Sequence, residues 1–126
     1  MSIPINLKYT KEHEWVLVEG NIGTIGVTDY AQGELGDVVF VDIDPAINEI
    51  KKGESIGTIE AVKTVSDIFA PYAGKVVEIN EALKDSPEVV NSDPYGKGWM
   101  IKVEISDAAE LTDLLDSVAY QALIGQ

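Results

Sequence analysis

Short apolar blocks alternate with clusters of turn residues along most of this chain, a pattern that predicts strands more than helices. Tyr9 to Val27 reads as a hairpin: Trp15-Val16-Leu17-Val18, a Glu19-Gly20-Asn21 turn, then Ile22-Gly23-Thr24-Ile25-Gly26-Val27. Thr28-Asp29 can cap a short helical turn through Gln32, and Asp37 to Ile43 follows as a strand that Asp44-Pro45 stops. A turn at Lys51-Lys52-Gly53, a strand over Gly74 to Ile79 and a capped short helix over Asn80 to Leu83 come next. Pro87 and Asn91-Ser92-Asp93-Pro94 break the chain before a last strand, Trp99 to Ile105. In the tail, Leu111, Leu114, Leu115, Val118, Ala122 and Leu123 keep a 3.6-residue spacing behind a Ser106 or Asp107 cap, which predicts one C-terminal helix over about 107–123. The expected fold class is therefore mainly β, with short helices and a C-terminal α-helix.

One stretch resists this reading. Ile56, Ile59, Val62, Val65 and Phe69 fall at spacings of three and four, as on an amphipathic helix, and there Glu60 and Lys63 would form an i,i+3 surface pair worth roughly 0.2–0.5 kcal/mol. Gly57 and the β-branched Ile56, Thr58, Ile59, Val62, Thr64 and Val65 favour strands instead. Val62-Lys63 lacks the Asn-Gly chemistry that marks a hairpin turn, so local pattern leaves both alternatives open. Gly57-Thr58-Ile59 also echoes Gly23-Thr24-Ile25, a hint of two similar hairpin halves.

Composition narrows what such a chain can do. Its 126 residues, 45% of them hydrophobic, suit one domain over residues 1–126, with a core over about 9–105 that buries on the order of two-thirds of the unfolded surface. Against 22 Asp and Glu there are 9 Lys and Arg, a net charge of -13 that repels phosphate backbones and anionic lipid, so nucleic acid and membrane are poor partners. No apolar run approaches the roughly 18 residues of a membrane span, and Met1 to Tyr9 carries neither a secretory nor a transit pattern, so a bacterial cytoplasmic location is expected. Without cysteine the chain has no thiolate of its own, and any sulfur redox chemistry must come from an attached group. His13 is the sole histidine and no set of ligands at coordinating spacing accompanies it, so neither a metal site nor a catalytic residue is expected, and a structural or docking role suits it better. Tyr95-Gly96-Lys97-Gly98-Trp99 lacks the phosphate-loop patterns and reads as a tight surface turn.

In so acidic a chain Lys63, flanked by Val62 and Thr64 with Val65 close by, is an amine without an evident solubilising purpose. A primary amine on a four-carbon stem is what an amide-linked prosthetic group needs. The run Glu60 to Asp67, with Tyr9 to Trp15 and Gly26 to Asp37, resembles the H-protein family of the glycine cleavage system in order and spacing, and Val76 to Leu83 and Asn91 to Trp99 resemble it too. The resemblance implies a flattened barrel-sandwich hybrid of lipoyl-domain type, with Lys63 at a hairpin tip carrying lipoic acid, and with Glu60 and Gly74 helping the lipoylating enzyme recognise its target. Lipoyl domains of 2-oxo acid dehydrogenases typically place an acid before the lysine and biotin carriers place methionine on both sides, and Val62 and Thr64 fit neither. Ala61 and Thr64 depart from the serine and alanine common in the family.

The implied role is a non-catalytic, monomeric carrier. It would take an aminomethyl group from a pyridoxal-phosphate glycine decarboxylase (P protein) to a folate-dependent aminomethyltransferase (T protein), and reducing equivalents to dihydrolipoamide dehydrogenase (L protein). The alternative is an H-like protein acting as lipoate donor or relay for other lipoyl enzymes. Matching motifs carry Glu12, Glu14 and Asp67 over as a cleft for the cationic loaded arm, although in a chain with 22 acids the composition alone favours a solvated surface group at each.

Overall fold

The computed structural model describes residues 2–126, and its frame is two antiparallel sheets that do not close into a barrel. Strands β1 (Lys8–Tyr9), β2 (Glu14–Glu19), β3 (Ile22–Val27), β9 (Ile101–Ile105), β8 (Gly74–Ile79) and β5 (Glu49–Ile50) stand in that order in a six-stranded sheet. Strands β4 (Val38–Asp42), β6 (Ser55–Ala61) and β7 (Val65–Phe69) form a three-stranded one. The inner faces meet in a core that takes Val16, Ile25, Ile101 and Val103 from the first sheet and Val41, Ile59 and Ile68 from the second. The expected β2–β3 hairpin is present, with Glu19 paired to Ile22 across Gly20-Asn21.

The Ile56–Phe69 stretch is a hairpin, β6 and β7, and bulges explain its helix-like spacing. Register slips between Ser55 and Gly57, leaving Ile56 as an extra residue, so Ile56 and Ile59 both face the core although three positions apart. A second slip between Val38 and Phe40 in β4 buries Val38 and Val41 and turns both Val39 and Phe40 outward. Val62 and Val65, which the helical reading placed on the buried stripe, are exposed. The Gly-Thr-Ile echo falls in the second strand of one hairpin and the first strand of the other, so it does not mark equivalent halves.

Helix α1 runs Asp29–Leu35, three residues beyond the expected end at Gln32. Thr28 caps it by accepting from Ala31 N–H, and Gly36 ends it at φ 80° with its N–H on the Gln32 carbonyl. Helix α2 spans Ala82–Asp85, shifted from the expected Asn80–Leu83, because Asn80 Oδ1 stands ahead of it as acceptor for Ala82 N–H. A further turn of helix, α3 (Val89–Ser92), forms where the sequence suggested only a break.

The tail corrects the single helix expected over about 107–123. A 3-10 helix over Ala108–Asp113 gives way to extended backbone at Leu114, and α4 covers only Ser117–Ile124 behind the cap Asp116. Leu115 exchanges both backbone hydrogen bonds with Tyr9, each 2.8 Å, and this bridge to β1 outweighs helical continuity. The buried positions of α4 are Ser117 and Tyr120, whereas Val118 is 71% exposed. Tyr120 stacks on Tyr9 at 4.6 Å between ring centroids, in a second apolar cluster with Leu7 and Trp15. None of the helices is long and apolar enough to cross a membrane, among the described residues.

Candidate functional site

Lys63 lies in the turn between β6 and β7, where Glu60 pairs with Val65 and Ala61 N–H donates to the Thr64 carbonyl at 2.8 Å. The turn is braced from outside the hairpin. Val62 N–H donates to the Asp37 carbonyl at 3.0 Å, so the link between α1 and β4 carries it. A Cβ built on Gly36 would sit 3.7 Å from Cδ and Cε of Lys63, which means that the exposed lysine rests its stem on that glycine. The positive φ of Gly36 already favours glycine there.

Asn91 of α3 holds this platform together. Its Nδ2 donates to the Gly36 carbonyl and to Gln32 Oε1, both 2.9 Å, and its Oδ1 accepts from Val38 N–H at 2.8 Å. One amide thus joins the end of α1, the link under Lys63 and the start of β4. In the sequence Asn91 was legible as part of a chain break and of one of the runs that carry the family resemblance, with nothing to mark it as a brace.

Beside the platform, between α1, the β1–β2 link and β7, runs a cleft of about 290 Å³. Val27, Ala31, Leu35 and Ile59 supply its apolar lining, and Glu12, Glu14, Glu34 and Asp67 its carboxylates. The structure therefore brings together Glu12, Glu14 and Asp67, which the sequence proposed as a group, and adds Glu34, which it missed. Glu34 had a signal: Tyr30, Ala31, Glu34 and Leu35 share one face of a helix at i, i+3 and i+4 spacing, visible only if the helix is carried past Gln32.

The acids differ sharply in environment. Glu12, Glu34 and Asp67 are exposed, and Asp67 accepts from Ser55 Oγ at 3.1 Å. Glu14 is 1% exposed, so it is no solvated surface group. Thr10 Oγ1 donates to it at 2.6 Å and Phe69 N–H at 3.3 Å, while Glu14 N–H donates back to Thr10 Oγ1 at 3.0 Å. Burial pushes its carboxyl up to about 7, Glu12 adds to the rise, and the bonds from Thr10 and Phe69 restrain it. Near neutrality the group is poised to take or lose a proton.

His13 borders the same cleft at φ 73°. Its Nδ1 pairs with the Tyr120 hydroxyl at 2.9 Å, and that hydroxyl meets Thr28 Oγ1 at 2.7 Å. Burial lowers its pKa against the opposing pull of Glu12 and Glu34. It ties α4 to the β1–β2 link and the start of α1, the structural role expected of it.

Glu60 and Gly74 lie on different sheets. Glu60 faces solvent on β6 between Phe40 and Val65. Gly74 opens β8, paired on one side with Ile50 and on the other with Ile105, where a Cβ would lie 2.7 Å from Val103 Cγ1 and closer still to the Glu104 carbonyl oxygen. Close packing of backbone alone requires glycine at that place. Tyr95 to Trp99 is a turn, as expected, with Lys97 N–H donating to Asp93 Oδ2 at 2.9 Å.

Residues 7–126 match the family model described as Glycine cleavage H-protein. The chain is 58% identical to the glycine cleavage system H protein of Staphylococcus haemolyticus (strain JCSC1435) over 126 residues, which is all of both chains. It is 56% identical, again over the full length of both, to the protein of the same name from Staphylococcus saprophyticus. Its fold superposes on the crystal structure of a glycine cleavage system H protein from Mycobacterium marinum with a TM-score of 0.90, at 36% identity, over 98% of this chain and 100% of that one. A match of this extent in both sequence and fold shows that the chain belongs to the glycine cleavage H-protein family.

Proposed function

We propose that the chain is the lipoyl-bearing shuttle of the glycine cleavage system, carrying lipoic acid in amide linkage on Lys63. In this role it passes an aminomethyl group from glycine decarboxylase to the aminomethyltransferase and electrons to dihydrolipoamide dehydrogenase, working as a non-catalytic cytoplasmic monomer. The observation that carries the reading is one juxtaposition: an exposed lysine on a braced hairpin turn, beside a cleft that combines an apolar lining with carboxylates.

The residues present suit the group. Lys63 leans on Gly36, and Gly36 directly follows Glu34 and Leu35 of the cleft wall, so an arm extended from the lysine starts alongside that wall. The apolar lining by Val27, Ala31, Leu35 and Ile59 can shelter a hydrocarbon chain of about 14 Å from water. When bound, the lipoyl group supplies a disulfide that can be opened, loaded with a one-carbon amine, and closed again.

The protein's own contribution is binding and electrostatics. Glu14 is held in place by Thr10 and Phe69, and its position inside the cleft wall offers a carboxylate to a cationic amine. Glu12, Glu34 and Asp67 add negative field at the surface of the cleft. Glu60 serves recognition by the lipoylating enzyme, and Gly74 contributes to it through the packing it permits.

Intact-mass measurement after expression with lipoate tests the attachment. The protein gains one lipoyl group, and Lys63→Arg gains none and supports no glycine–bicarbonate exchange with glycine decarboxylase. A mass gain that survives Lys63→Arg refutes the assignment.

A further inference from the structure

A second cavity, of about 280 Å³, lies on the other side of Glu14 from the arm cleft, between the β1–β2 link, the turn that leads into β6, the end of β7 and the tail. Only Glu12 and Glu14 line both cavities, so the Glu14 side chain is a wall between them. Both partners of its carboxyl stand on the far side: Thr10 and Phe69 line the second cavity and not the arm cleft. The pocket is preformed. Gly53 N–H donates to the Ala70 carbonyl and Ala70 N–H to the Glu54 carbonyl, both at 2.8 Å, which fixes the Lys52 turn against the end of β7. Lys52 Nζ reaches Asp113 at 2.6 Å and Ala73 N–H donates to Glu110 Oε1 at 2.7 Å, so the tail is tied down as the opposite wall. Phe69, Pro71 and Leu114 supply an apolar floor. Exposed Lys11 stands at the rim, one of only 9 Lys and Arg in the chain, and it has no ion-pair partner among the described residues.

We propose that this pocket binds a small zwitterion, a free α-amino acid with an apolar side chain, its carboxylate on Lys11, its side chain on the apolar floor and its ammonium on Glu14. Charge selects this occupant. A free cation, an apolar surface and an anchored carboxyl share one preformed space, and each end of the ligand meets the opposite sign. A purely anionic molecule sets its charge against Glu12 and Glu14, and a purely cationic one leaves Lys11 unanswered. Pockets for drug-sized ligands start at about 300 Å³, so this one suits a single amino acid. The ammonium needs Glu14 ionised. Around that carboxyl stand Lys11, Glu12 and His13 from its own link, Glu34 from α1, Asp67 from β7, Lys52 from the turn, Asp113 from the 3-10 helix and Tyr120 from α4. Because Glu14 titrates at about 7 and a free amino acid keeps its ammonium well above that, affinity rises about tenfold between pH 6 and pH 8. Glu14 has one charge for two cavities, so the amino acid and the loaded arm compete for it across the wall. That competition rests on the lipoyl reading, and the binding itself does not.

The test is an NMR titration of the unmodified full-length protein with L-leucine. Amide shifts move at Lys11, Phe69, Ala70 and Leu114, with a Kd on the order of 1 mM at pH 8, as a ligand of this size allows. 4-Methylpentanoate, which lacks the amine, and isoamylamine, which lacks the carboxylate, each bind about tenfold more weakly. Glu14→Gln and Lys11→Met weaken leucine binding by a similar factor, and Glu14→Gln also removes its pH dependence. Lys97→Met takes a lysine from the Tyr95–Trp99 turn and leaves binding unchanged. Leucine binds several-fold more weakly to the aminomethyl-loaded lipoyl protein than to the unloaded one. The absence of shifts at these residues up to the solubility of leucine overturns the proposal, as does equal binding of leucine and 4-methylpentanoate. Affinity that stays flat from pH 6 to pH 8 overturns the pairing with Glu14, and equal affinity in loaded and unloaded protein overturns the competition. A protein that takes no lipoyl group on Lys63 refutes the lipoyl reading and leaves the titration of the unmodified chain to decide the pocket on its own.

Discussion

Glu14→Gln isolates the consequence of burying a carboxyl in the cleft wall. Its ordinary value of 4.5 is raised to about 7 in the folded protein, chiefly by burial. Between those values the folded state holds a proton that the unfolded chain has released, so stability falls as pH rises through the window and the loss is complete above about pH 7. At about 1.4 kcal/mol per pH unit, the displacement corresponds to about 3 kcal/mol. Glutamine keeps the shape and can still bond Thr10 and Phe69 N–H, but it has no charge to desolvate. The other acids titrate alike in both proteins and cancel in the difference. Urea unfolding followed by the fluorescence of buried Trp15 then gives similar stabilities at pH 4, with the variant gaining about 3 kcal/mol on the wild type by pH 8. A difference that stays flat from pH 4 to 8 refutes the account of a carboxyl held against ionisation by its surroundings. The same substitution has a functional cost. At about 4 Å and an effective dielectric constant of about 20, a carboxylate and an ammonium attract by about 4 kcal/mol. At pH 7, where ionising Glu14 costs little, that attraction dominates, and the lipoylated variant releases its loaded amine faster than the wild type.

Two further substitutions test the frame around the site. Asn91→Ala removes three hydrogen bonds that join Gln32, Gly36 and Val38; it costs about 2 kcal/mol in stability and speeds amide hydrogen exchange at Val38 and Val62, which measures how firmly the Lys63 turn is held. Gly74→Ala forces a methyl against the Glu104 carbonyl and Val103, lowering stability by about 3 kcal/mol in urea unfolding; wild-type stability with slowed lipoylation would show that the glycine is read directly by the enzyme and not through packing.

What the sequence revealed depended on whether the backbone stayed regular. The β2–β3 hairpin and β8 were legible because turn residues bound them. Around Lys63 the slips at Ile56 and Val39 put two core residues three apart, and a spacing of three is what a helix also produces, so periodicity misled where the chain bulges. In the tail, counting aliphatic residues overlooked Tyr120, whose ring and hydroxyl set the buried face of α4, and nothing local announced that Leu115 would pair with Tyr9. The site shows the same division. Lys63 stood out as a lone amine among apolar neighbours, and the family resemblance supplied its hairpin tip. Glu14 could not be told from its solvated neighbours, because its burial depends on Thr10 and on Phe69, 55 residues away. Glu34 was lost when the helix was ended at Gln32.

The platform under Lys63 also sets how tightly the cleft needs to grip. With the proposed arm rooted on Gly36, next to the cleft wall, the two are parts of one molecule, and their encounter does not depend on protein concentration. A short flexible tether gives an effective local concentration in the millimolar range, so millimolar intrinsic affinity already keeps the arm docked about half the time. Tighter binding would hinder hand-over to the next enzyme. At that affinity a partner draws the uncharged arm out for less than about 1 kcal/mol, whereas an ammonium at its tip facing Glu14 deepens the docking by up to about 4 kcal/mol, so a change of charge resets the balance between stored and delivered.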